Sequence, residues 1–346
     1  MSATGLSRSL LRSCVAAAML AGCGQLAPLA NTPQSAAREN AGATHAKPAI
    51  YVANDLYRAA SLTAYPQNAN GDVRALRTIA GSNTLIKQPG GIAVDTRGRM
   101  YVANLYGGGT SGDGNILVFA SNANGNIAPI ATIAQDVYYP FGVALDSSGN
   151  VYVANWQGGS ITEYAAGSYH LMRKIQGDDT GLYPVGLTID SEGKIYAVNN
   201  CECSSSLPTI TVYASTANND ARPLRSIGPD SELYYPQGGI AVDAKGEILV
   251  TNAGYSRPGV LVFARRARGD DKPIRTISGS KTQIASNVNG LALDGVGNIY
   301  VTGSSGSSGP GSVLVFAPTA KGNVPPIREI VGTKTGLVAP AGIVVR

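Results

Sequence analysis

Gly91-Ile92-Ala93-Val94-Asp95-Thr96-Arg97-Gly98-Arg99-Met100-Tyr101-Val102-Ala103-Asn104 decides the fold, because the chain returns to this phrase along its whole length. It recurs as Gly142 to Asn155, Gly186 to Asn199, Gly239 to Asn252 and Gly290 to Gly303. A sixth copy is cut in two. Ile50-Tyr51-Val52-Ala53-Asn54 carries its second half near the N-terminus, and Gly342-Ile343-Val344-Val345 carries its first half at the other end. A repeat divided between the two ends of a sequence implies a ring closed by its own termini. The aspartates Asp95, Asp146, Asp190, Asp243 and Asp294 stand 51, 44, 53 and 51 residues apart, a period that suits propeller blades.

Each period holds four short strand-type runs; in one unit they are Gly142 to Leu145, Val151 to Ala154, Ser160 to Tyr164 and Met172 to Ile175. The runs favour Val, Ile and Tyr and are bounded by Gly, Asn, Asp and Pro, which is strand and turn punctuation. Asp-x-x-Gly joins the first two runs, as in Asp146-Ser147-Ser148-Gly149. There Asp can accept backbone N–H groups and Gly can take positive φ, so these are expected to be hairpin turns. One or two carboxylates per turn fall short of the oxygens a calcium ion needs.

A second phrase joins the third and fourth runs: Asn68-Ala69-Asn70-Gly71-Asp72, Asn122-Ala123-Asn124-Gly125-Asn126, Asn218-Asn219-Asp220 and Lys321-Gly322-Asn323. Asn-Gly pairs are strong hairpin signals. Each is followed by a strand ending in Ile, led in all but the first by Pro, as in Pro273-Ile274-Arg275-Thr276-Ile277, where Pro at a strand start costs no ladder bond. The expected fold is all-β: a single six-bladed propeller over residues 49–346, with three N-terminal strands and one C-terminal strand sharing the last blade.

Ahead of that ring, Arg8 and Arg12 precede the apolar run Val15-Ala16-Ala17-Ala18-Met19-Leu20, too short to span a bilayer and shaped like a secretory signal. Leu20-Ala21-Gly22-Cys23 resembles the lipobox of bacterial lipoproteins, against the plainer reading of an ordinary signal peptide with an incidental cysteine. The expected organisation is therefore a signal over residues 1–22 and, over 23–48, a lipidated Cys23 with a flexible Ala-, Asn- and Pro-containing tether. This puts the protein in the cell envelope, held to a membrane by lipid alone. Gly24 after the cysteine favours the outer membrane by resemblance to enterobacterial sorting.

Net charge is +5, and removal of Arg8 and Arg12 lowers it to +3, which gives little pull on a polyanion. The basic cluster Arg265-Arg266-Ala267-Arg268 runs straight into Asp270-Asp271 and reads as a solvated turn, so no nucleic-acid partner is expected. The chain is expected to be a monomer. Cys201-Glu202-Cys203 offers either a small loop disulfide or two free thiols.

In a propeller the loops from second to third strands share one face with the loops leading into each first strand. Here those loops vary most on a constant scaffold, which marks a place for binding. They carry Tyr57, Tyr106, Trp156 and Tyr255, and the lead-in loops carry Tyr138-Tyr139-Pro140, Tyr183-Pro184 and Tyr234-Tyr235-Pro236. Trp156 and Tyr106, with Tyr139, Tyr235, Asn104, Asn155 and Asn252, are the candidate ligand-binding residues. The plainer alternative is that Tyr before Pro packs between blades and that each Asn bonds backbone at its strand end. Catalytic groups are scarce: His170 is the one histidine of the ring, and Asp136, Asp178, Asp179, Asp230 and Glu232 are the lead-in carboxylates.

The repeated Pro-x-Gly-Ile-Ala-Val-Asp-x-x-Gly-x-x-Tyr-Val-Ala-Asn phrase resembles the bacterial NHL-repeat six-bladed propeller lipoproteins. That superfamily includes protein-binding, RNA-binding and enzymatic members, so the resemblance implies a fold more than a task. The related gluconolactonase-like propellers hold a divalent metal through Glu, Asn and Asp, partly just before the Gly that opens the first strand. Here those positions are Gly90, Phe141, Val185, Gly238, Asn289 and Ala341, and Asn289 alone matches. The expectation is an envelope-anchored, non-catalytic scaffold that uses no cofactor and recognises a protein or glycan through its loop face. The alternative is a divergent metal-dependent lactonase or lyase-type hydrolase.

Overall fold

The computed structural model describes residues 49–55, 59–108, 113–200, 207–228, 230–254, 258–304 and 310–346. Cys23, Cys201 and Cys203, together with Tyr57 and Tyr255, lie outside the described residues. The described chain forms six antiparallel sheets of four strands each. Counted in chain order, blade 1 is the shared one: Pro340–Val345 is its inner strand, beside Ala49–Asn54, Ser61–Pro66 and Arg77–Ala80. The closing register pairs Tyr51 with Val344 and Val52 with Ile343, so the two ends of the ring do zip into one sheet. Blades 2 to 6 open with Pro89–Val94, Pro140–Leu145, Pro184–Ile189, Ile240–Val242 and Asn287–Leu293.

Apolar side chains alternate along every strand and fill the wedges between blades, giving six core clusters, one at each junction. Phe119, Phe263 and Phe316 close the third strands of blades 2, 5 and 6, and all three are fully buried. Blades 1, 3 and 4 place Tyr65, Tyr164 and Tyr213 there instead, and each hydroxyl donates to a loop carbonyl: Thr335 at 2.7 Å, Gln135 at 2.5 Å and Thr180 at 2.5 Å.

The Asp-x-x-Gly turns behave as expected. Asp146 Oδ1 accepts the N–H groups of Ser148 and Asn150, both at 2.9 Å, and Gly149 sits at φ 83°. In the matching turn of blade 6, burial would raise the Asp294 carboxyl, but hydrogen bonds from Asn298, Val296 and Tyr300 hold it below the ordinary range.

The second phrase does more than turn the chain. Gly71, Gly125, Asn219, Gly269 and Gly322 each bridge in parallel to the outer-strand Ile of the preceding blade, so each turn clamps its neighbour. At the junction of blades 5 and 6, Gly322 N–H donates to Thr276 O (2.6 Å) and Ser278 N–H to Gly322 O (3.2 Å). Asn323 Oδ1 there takes Lys281 N–H at 2.7 Å, and Arg275 Nη1 donates to Ala320 O at 2.9 Å. The clamp turn needs a left-handed residue, which glycine supplies; in blade 4 Asn219 does so at φ 52°.

Arginine completes the device. Arg77, Arg173, Arg225 and Arg328 lie over Tyr51, Tyr152, Tyr196 and Tyr300 of their own blades, with Cζ 5.7–5.9 Å from the ring centroids. Their guanidinium groups reach the next blade's turn at Ser121, Ala217, Ala267 and Gln67 carbonyls.

The junction of blades 2 and 3 lacks both halves. Blade 2 has Ala131 where the others have Arg, and blade 3 turns through Ala166-Gly167-Ser168, without the Asn phrase. No such bridge joins these two blades among the described residues. Arg99 takes over from the neighbouring hairpin: it lies 5.9 Å over Tyr101 and donates to the Tyr169 hydroxyl at 3.4 Å. Tyr101 and Tyr169 meet edge to face at 6.2 Å. Burial, and then the Tyr169 hydroxyl, push the Tyr101 phenol up.

Candidate functional site

The loops from second to third strands and the lead-in loops do share one face, and backbone bonds fasten them together there. Asp55, Leu105, Trp156, Asn200 and Ala253 each follow the Asn that ends the repeated phrase and donate N–H to Ala339, Gln88, Tyr139, Tyr183 and Tyr235 carbonyls at 2.9–3.1 Å. This column ties the rim of every one of these blades to the mouth of the central channel.

The asparagines that end the second strands are consumed by this architecture. Asn104 is fully buried; its Oδ1 accepts Lys87 N–H (2.8 Å) and its Nδ2 donates to Tyr106 O (2.9 Å) and Asn115 Oδ1 (3.0 Å). Asn155 takes Tyr138 N–H at 3.0 Å and gives to Thr162 Oγ1 at 3.0 Å. Asn252 takes Tyr234 and Tyr235 N–H at 2.9 and 3.2 Å. These side chains position the lead-in loops and do not form an open polar ring at the surface.

The aromatic candidates separate into two groups. Tyr106, Tyr139 and Tyr138 make a run of edge-to-face contacts, with centroids 5.5 and 5.0 Å apart, at the loop-face end of the junction between blades 2 and 3. Tyr106 and Tyr138 are exposed, as are Tyr183 and, at 70%, Tyr234, so the arc continues over the loops that lead into blades 4 and 5. Trp156 and Tyr235 are half-buried. The Trp156 indole N–H donates to Asn200 O at 3.1 Å and its ring meets Phe141 at 6.1 Å, so much of this residue serves the junction of blades 3 and 4. Tyr235 packs on the core between blades 5 and 6.

Sequence reading missed Asp55. It stands in the same column as Trp156 and lines a central channel of about 590 Å³ bounded by all six inner strands. Burial raises its carboxyl to about 6, opposed by a hydrogen bond from Gln88 Nε2 to Oδ2 at 3.3 Å. Asn289 also lines the channel, its Nδ2 given to Pro340 O at 3.2 Å. Among the described residues, no three His, Cys, Asp or Glu side chains gather where one ion could bind them. His170 pairs its Nδ1 with Ser168 Oγ at 2.8 Å in an exposed turn of blade 3.

With this geometry in hand, the chain is a six-bladed β-propeller, and known proteins agree. A family described as "Beta-propeller repeat" matches residues 279–310, which run from the end of blade 5 through the first two strands of blade 6. A chain in the crystal structure of a nidogen/laminin complex is similar at 17% identity and a TM-score of 0.60, covering 86% of this chain and 98% of that one. A protein of unknown function from Bacteroides caccae is similar at 11% identity with the same TM-score of 0.60, again over 86% and 98% of the two chains. No curated protein sequence matches. At these identities the likeness speaks for the fold.

Proposed function

We propose that this protein is a non-catalytic binding scaffold of the cell envelope, an NHL-like propeller lipoprotein anchored through Cys23, which captures a protein partner on its loop face. One observation carries the reading: Tyr106, on the long second strand of blade 2 (Met100–Gly108), and Tyr138, Tyr183 and Tyr234, in the loops that lead into blades 3 to 5, are all exposed on one face. Tyrosine offers large apolar area with a hydroxyl at its tip and loses little conformational entropy on binding, which suits recognition. A similar fold occurs in a nidogen/laminin complex.

The ring begins at Ala49, which pairs with Pro66 at the end of the next strand, and Ala49 O accepts Arg346 N–H at 3.3 Å. That is the turn face, opposite the tyrosines. The lactonase alternative rests on Asn289 alone.

The test is a pull-down from envelope extract with the full chain and with Tyr106→Ala/Tyr138→Ala. Loss of a specific partner by the variant at an unchanged thermal midpoint supports the rim; equal capture by both removes it. A glycan array probed with the same pair separates a sugar ligand from a protein.

A further inference from the structure

We infer that the loop-face mouth of the channel, at Asp55, is a binding site for a single ammonium group carried on an aliphatic stem. Among the described residues that line the channel, Asp55 is the one charged side chain. Its backbone is fixed by the N–H bond to Ala339 O at 3.0 Å, and the neighbouring Pro340 carbonyl holds Asn289. The Asp55 backbone and the Asn289 carboxamide are thus fastened to the adjacent carbonyls of Ala339 and Pro340. Asn289 Oδ1 has no donor among the described residues, and Gln237 brings a further carboxamide to the channel wall.

The charge count selects the ligand. One carboxylate among neutral oxygens matches a single positive charge, whereas calcium takes six to eight oxygens and draws on several carboxylates. Gln88 already donates to Oδ2, so a fork across both oxygens would have to share that atom, while Oδ1 has no donor among the described residues. A guanidinium works best across both oxygens of a carboxylate, while an ammonium is a compact point charge whose remaining N–H groups can turn to amide oxygens. A cation at this place also relieves the desolvation that makes the ionised carboxylate unfavourable.

The stem follows from the wall. Phe141, Val185 and Ala341, which hold the same position in their blades as Asn289, line the channel at this mouth. At about 590 Å³ the space falls within the ordinary range of small-molecule sites. The site is separate from the tyrosine rim. Asp55→Asn tests one and Tyr106→Ala/Tyr138→Ala the other, so either reading can fall alone.

Isothermal titration of the full chain at pH 8 with hexylammonium chloride, 1-hexanol and N-acetyl-lysine amide provides the test. The expected result is one-to-one binding of hexylammonium, with a loss of about tenfold or more both for hexanol and for hexylammonium on Asp55→Asn. The variant should melt no lower than the parent, which separates a lost contact from a lost fold. Binding of the lysine amide as well assigns the site to a lysine side chain of a partner; binding of hexylammonium alone assigns it to a free amine. Equal affinity for hexanol, undiminished affinity in Asp55→Asn, or no binding by either amine overturns the proposal.

Discussion

Five blade junctions are clamped and one is not, and the two kinds of junction show what the second repeated phrase is for. In a clamped junction the turn of one blade hydrogen-bonds along the free edge of the previous outer strand, while that strand's arginine reaches back into the turn. Each half satisfies the other: the turn carbonyls need a donor, and a half-buried guanidinium needs acceptors. Between blades 2 and 3 both halves are missing together, at Ala131 and at Ala166-Gly167-Ser168. A solitary half would leave a polar group without its partner, so the pair behaves as one unit. The same clamp covers sheet edges that would otherwise be open.

The strongest way to break this comparison is at the seam, where closure relies on a strand as well as a clamp. Deleting Gly342–Arg346 removes most of the inner strand of blade 1 and is expected to abolish cooperative unfolding at 37 °C, read by circular dichroism melts. Next in size, Arg225→Ala removes bonds to Ala267 O (3.0 Å) and Arg265 O (2.7 Å) together with the stack on Tyr196, for an expected loss of about 2 to 3 kcal/mol in urea titrations. Arg99→Ala, at the unclamped junction, should cost about half as much; an equal cost would mean that the two junction types are energetically alike.

Asp55 offers a contrast of opposite sign. With its folded carboxyl at about 6, the folded chain keeps a proton that the unfolded chain has released between roughly pH 4 and 6. Stability of the parent therefore falls as pH rises through that window. Asp55→Asn should be more stable by about 1 kcal/mol at pH 7, after allowance for solvent screening, and no different below pH 4. Denaturant midpoints across that range check the sign. Asp72→Ala removes the acceptor of Lys334 N–H (2.7 Å) and should cost about 1 kcal/mol. Ala131→Arg sharpens the comparison most finely: without the matching turn in blade 3 its guanidinium finds no carbonyl, and stability should change by less than about 0.5 kcal/mol.

The ring and its Asp-x-x-Gly turns were legible in the sequence because strand alternation and turn chemistry act between near neighbours, and the seam because the repeated phrase is divided between the two ends. Clamping was not, because Arg225 and Ala267 O belong to successive repeats and nothing local joins them. A signal was present nonetheless: Arg two places before the outer-strand Ile in every blade except the second. For Asn104, Asn155 and Asn252 the sequence leaves two roles open, gripping a ligand or bonding backbone at the strand end, and the coordinates show lead-in backbone bonded to all three. Asp55 stayed hidden because its column holds unlike residues, Leu105, Trp156, Asn200, Ala253 and Ser304, so no pattern drew attention to it.

Because Ala49 and Arg346 meet in one hydrogen bond, the ring has no structural beginning. A short peptide joining these two residues, with new ends opened between blades 2 and 3, gives a circular permutant that keeps all five clamps intact.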